Sequence, residues 1–95
     1  MMKNVDIDIY MNQFVNFFEN NPNDLIDLIG ESLKETFYEK VRMRCVENVK
    51  NGDDVSLTNK QMMEIVLELR NEETIDKDKI AKLFKSTKYG TFCLN

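Results

Sequence analysis

Leu33, Phe37, Val41 and Cys45 recur at four-residue intervals, and Val49 extends the row. Apolar side chains four apart share one face of an α-helix, so this stretch is constrained to be a long helix with one buried side. Ser32-Leu33-Lys34-Glu35 stands at its start as a capping box. In such a box the serine oxygen accepts from an early amide and the glutamate returns the bond. Asn51-Gly52 closes the helix.

The flanking segments follow the same logic. Val5-Asp6-Ile7-Asp8-Ile9 alternates apolar and acidic residues, which predicts a short strand with one buried face. Tyr10, Met11, Phe14, Val15, Phe17 and Phe18 then recur at helical spacing, and the aromatic stripe reads as core. Asn21 caps a short helix that Pro22 opens and that runs to Ile29, with Gly30 as its stop. Val55-Ser56-Leu57 reads as a short extended piece. Thr58-Asn59-Lys60-Gln61 is a second capping box, with Leu57 and Met62 placed as a hydrophobic staple. The helix that follows is apolar over roughly 200° of its wheel and leaves Gln61, Glu64 and Glu68 as its polar strip, so it belongs in the middle of the fold. Asn71–Thr74 is a turn, Asp76 caps a last helix reaching Lys85, and Thr91–Leu94 reads as a terminal strand. The expectation is a mainly α domain of five helices with short terminal strands. All 95 residues form one domain, with residues 1–32 as a strand and helical extension.

Charge is unevenly distributed. The chain carries net −4, yet residues 77–95 carry +4, while residues 1–30, 31–50 and 51–76 carry −4, +1 and −5. In the last helix Ile80, Leu83 and Phe84 occupy one side, and Lys79, Lys82 and Lys85 the other. Lys77, Lys88 and Tyr89 continue that surface. Lysines gathered outside a buried apolar stripe suit phosphate contacts, and Tyr89 suits stacking on a base or sugar. The helix has no Arg, Asn or Gln to read base edges, so sequence-blind docking is expected. The same lysines also fit an ordinary solvated face paired with acids elsewhere.

Catalysis finds little support in the residues. There is no histidine, which removes Ser-His and Cys-His pairs. Two cysteines, Cys45 and Cys93, do not make a four-ligand zinc site and read as free thiols. Asp6/Asp8, Asp53-Asp54 and Asp76/Asp78 lack a calcium-loop pattern. Gly30, Gly52 and Gly90 are too far apart for a phosphate-binding loop. No cofactor or metal is expected. Acidic and basic residues interrupt every apolar stretch, and the start lacks the apolar block of a secretory signal, so a cytoplasmic, non-membrane protein is expected.

From Leu33 onward the order is helix, short strand, helix, turn, helix, strand, and the Leu57-Thr58 entry introduces the middle helix. In this the chain resembles a winged-helix domain, a relative of the helix-turn-helix. The resemblance implies Leu33–Lys50 as first helix, Thr58–Arg70 as scaffold helix, Asp76–Lys85 as recognition helix and Lys88–Leu94 as a reduced wing. Val5–Ile9 is placed to supply the missing wing partner. It implies a non-enzymatic, regulatory or accessory DNA-binding role, with DNA or RNA as partner. A second helix-turn-helix outline, Pro22–Ile29 then Ser32–Lys50, brings Lys34, Lys40, Arg42 and Arg44. The alternative is a protein-interaction or homodimerisation module, suited by six Met and six Phe residues.

Overall fold

A computed structural model describes residues 3–20, 27, 29–70, 78, 82 and 93–94. Helix α1 spans Lys3–Asn20, α2 spans Lys34–Lys50 and α3 spans Asn59–Leu69. A 3-10 turn, Glu31–Leu33, leads into α2. Strand β1 is Leu57–Thr58 and strand β2 is Cys93–Leu94.

The expected five helices are not found: the described residues form three α-helices and the one 3-10 turn. Nor is Val5–Ile9 a strand, because those residues are the opening turns of α1. The reason is visible in two side chains. A strand places Ile7 and Ile9 on one face, but Ile7 is 2% exposed and Ile9 is 52% exposed. Ile7 instead begins a helical stripe with Tyr10, Met11, Phe14 and Phe18, all buried. Four well-placed core side chains outweigh a local alternation of β-branched residues. With that strand gone, so is the expected wing partner. Asp27 and Ile29 have helical backbone, as have Asp78 and Lys82. The rest of the helices expected at Pro22–Ile29 and Asp76–Lys85 lies outside the described residues.

The two capping boxes fare differently. At Thr58 the box is complete: Thr58 Oγ1 accepts from the Gln61 amide at 3.1 Å, and Gln61 Oε1 accepts from the Thr58 amide at 3.1 Å. A cap of this kind contributes about 1 kcal/mol. The staple residues Leu57 and Met62 are both buried. The Ser32 box does not form. Gly30, at φ +102°, starts a tight turn in which the Leu33 amide donates to the Gly30 carbonyl, so Ser32 lies inside the turn and Leu33 takes the cap position without a side-chain bond. At the other end of α2, Gly52 adopts φ +83° and its amide donates to the Val49 carbonyl. The left-handed conformation that ends a helix costs glycine little.

Helix α2 packs against both α1 and α3. One continuous core runs from Ile7 to Val66, with Phe14, Phe37, Val41, Cys45, Leu57 and Val66 fully covered. The rings of Phe14 and Phe18 lie 4.6 Å apart, and both reach Phe37 at 5.8 Å. β1 and β2 pair in parallel, Leu57 beside Cys93 and Thr58 beside Leu94. The expected terminal strand is thus present over Cys93–Leu94, and its partner is the two-residue strand at the entry to α3.

Candidate nucleic-acid interface

Of the six residues expected to contact phosphate or base, the structure describes Lys82. It has helical backbone and is exposed. Asp78 also has helical backbone and is exposed. Lys77, Lys79, Lys85, Lys88 and Tyr89 lie outside the described residues. The chain is fixed on either side of this region. Before it, Arg70 ends α3 with its Nη1 donating to the Ile29 carbonyl at 3.2 Å. After it, Cys93–Leu94 is paired with Leu57–Thr58.

The second cationic group is fully described, and it is already engaged. Lys34 meets Glu19 at 3.0 Å and Arg42 meets Asp8 at 2.8 Å, both across the α1–α2 contact. Lys40 meets Glu68 at 3.1 Å and Arg44 meets Glu64 at 3.2 Å, both across the α2–α3 contact. These cations join helices. They do not form an open positive face.

The α2–α3 contact has a regular pattern that the separate helical wheels conceal. Lys40, Arg44 and Asn48 are spaced four apart on α2, and they meet Glu68, Glu64 and Gln61 on α3 running the other way. The polar strip of α3 is therefore a seam against α2. The two ionic rungs are partly solvated, and each is worth about 0–1 kcal/mol. The third is different. Asn48 is 4% exposed. Its Nδ2 donates to Gln61 Oε1 at 3.1 Å and to the Ser56 carbonyl at 3.5 Å, and Gln61 Nε2 donates back to Asn48 Oδ1 at 2.9 Å. Opposite charge at matching four-residue spacing was the sequence signal for this seam.

Two reactive groups are held in unreactive form. Tyr38 is buried against Phe14 and Phe37, and its hydroxyl donates to Glu19 Oε2 at 3.2 Å. Burial, then the negative charge of Glu19, raises its pKa far above the usual phenol range. The hydrogen bond from Lys34 lowers the pKa of Glu19, and that same bond raises the pKa of Lys34. Cys45 is fully buried, and desolvation pushes its thiol up to about 12. A thiol without thiolate is a poor nucleophile. In a Cys93→Ser background, Cys45 is expected to resist an aromatic disulfide reagent at pH 8 in the folded protein and to react at once in urea. Fast labelling without denaturant contradicts this burial.

Among the described residues, no group of three or more His, Cys, Asp or Glu is arranged to hold a metal ion. No helix among them is long and apolar enough to cross a membrane. No family model, curated protein or solved structure matches the chain.

Proposed function

We propose that this chain is a nucleic-acid-binding domain that acts by docking and not by catalysis, in the manner of a winged-helix accessory factor. Its basic C-terminal segment meets the phosphate backbone through Lys77, Lys79, Lys82, Lys85 and Lys88, and Tyr89 lies against a base or sugar. The observation that carries this reading is Lys82, exposed on helical backbone, while Lys34, Lys40, Arg42 and Arg44 are each committed to a carboxylate. The positive surplus of the chain therefore falls in residues 77–95. The pairing of β2 with β1 ties the far end of that segment to the folded core. A tethered cationic segment loses less freedom on binding than a free tail does. The buried thiol of Cys45 and the buried hydroxyl of Tyr38 agree with a role in which the protein supplies a surface.

Fluorescence anisotropy with mixed-sequence DNA and RNA oligomers tests the proposal. Five lysine contacts predict affinity that falls on the order of 10²- to 10³-fold between 50 and 200 mM salt. Lys82→Glu combined with Lys85→Glu is expected to weaken binding about tenfold or more at low salt. No binding at low salt, or binding indifferent to the double substitution, removes the reading.

A further inference from the structure

The outward face of α2 carries a second pattern. Thr36, Glu39, Met43, Val46 and Lys50 are spaced alternately three and four apart, the repeat that lets two helices lie side by side. Met43 is 64% exposed, unusual for a large apolar side chain, and Val46 beside it is half-buried. With Arg42, Glu47 and Lys50 these two residues line an open groove of about 310 Å3. Ile9, the other exposed large apolar residue among those described, follows Asp8, whose carboxylate holds Arg42.

We propose that this face is a contact between two copies of the chain, their α2 helices antiparallel about a two-fold axis that passes between Arg42 and Met43. Charge complementarity selects both the occupant and the direction. Glu35 and Lys50 lie at equal distances on either side of that point, near the two ends of α2. Both are exposed, and neither makes an ion pair among the described residues. Antiparallel pairing sets Glu35 of each copy against Lys50 of the other, and Arg42 against Met43. Each Met43 is then placed to enter the groove beside the other copy's Val46. Parallel pairing instead sets Glu35 against Glu35 and Lys50 against Lys50, and repulsion disfavours it. A two-fold contact is self-complementary in this way. With only two apolar positions per chain the association is weak, with a Kd on the order of 10⁻⁴ M.

Sedimentation equilibrium from low micromolar to about 1 mM protein provides the test. The mass is expected to rise from that of one chain toward two. Glu35→Lys alone and Lys50→Glu alone should each weaken the dimer about tenfold, since each turns two attractive pairs into repulsive ones. The two changes together restore complementarity and should bring the Kd back to within about threefold of the parent value. Met43→Ser, which removes the apolar contact without adding a charge for Arg42 of the other copy to meet, should abolish the dimer. The three residues changed here, Glu35, Met43 and Lys50, are on the surface, so an unchanged helical circular dichroism spectrum shows that folding is not the cause. A single-chain mass at every concentration overturns the proposal. So does a dimer that survives Met43→Ser, or one that the paired charge exchange fails to restore. Because the lysines of residues 77–95 are untouched in each variant, nucleic-acid binding measured on the same proteins is read separately.

Discussion

Phe14→Ala is expected to remove about 3–5 kcal/mol of folding stability. That is a large part of the roughly 5–15 kcal/mol available to a domain of this size. Phe14 is fully buried where α1 meets α2, and its ring lies near those of Tyr10, Phe18, Phe37 and Tyr38 at 6.0, 4.6, 5.8 and 6.3 Å. Truncation loses the burial of the ring and opens a cavity that four other rings border. These rings are rigid and do not collapse easily into the space, so the upper half of the range applies. The midpoint of thermal unfolding should fall by about 15–30 °C. Urea denaturation followed by circular dichroism provides the measurement. Ile9→Ala is the matched comparison on the same helix. At 52% exposed, Ile9 should cost less than about 0.5 kcal/mol on truncation. Comparable losses at both positions contradict the helical placement of the α1 stripe and favour an extended N-terminus.

That comparison also locates what a reader of the sequence can and cannot extract. The stripe Leu33, Phe37, Val41, Cys45 and the box at Thr58–Gln61 were legible because each is a local pattern with one dominant solution. Phe37, Val41 and Cys45 are buried on α2 with Leu33 at its cap position, and the box stands at the start of α3. Val5–Ile9 misled because five residues fit two periods. The tie is broken by Phe14 and Phe18, which lie outside that window and extend the helical frame backward through Ile7. Ser32 misled for a different reason. A capping box requires its serine in extended backbone, and Gly30 imposes a turn two residues earlier that moves Ser32 out of that position. The polar strip of α3 is legible in its own residues, but its partners are not. On one wheel Gln61, Glu64 and Glu68 look solvated. Only with α2 alongside do Asn48, Arg44 and Lys40 become their partners. Of the candidate interface, the sequence gives the surplus of lysines and the structure places Lys82 alone.

The buried rung of that seam yields the second large effect. Asn48→Asp is expected to cost about 3 kcal/mol or more near pH 7. The direction of each bond in the network is set by a group that cannot turn. The Thr58 backbone amide donates to Gln61 Oε1, so Gln61 must present Nε2 to Asn48 Oδ1, and Asn48 must present Nδ2 to Gln61 Oε1 and the Ser56 carbonyl. An aspartate at position 48 keeps the bond from Gln61 Nε2. Its second oxygen, standing where Nδ2 was, faces two acceptors. If Gln61 turns to relieve this, the Thr58 amide loses its partner and the cap of α3 is broken. Protonation is the remaining remedy, because a neutral carboxyl can donate to Gln61 Oε1. The folded-state pKa of this residue is therefore raised above the unfolded value of about 3.9. The loss relative to the parent protein should be small below that unfolded value. It should grow as pH rises toward the folded value and level off above it. Asn48→Ala, which removes the amide without adding charge, should cost about 2 kcal/mol at every pH. Urea unfolding of the three proteins between pH 3.5 and 8 separates these outcomes. A flat pH profile for Asn48→Asp, or a loss no greater than that of Asn48→Ala at pH 7, shows that the site is open to water and that the α2–α3 seam is not closed at Gln61.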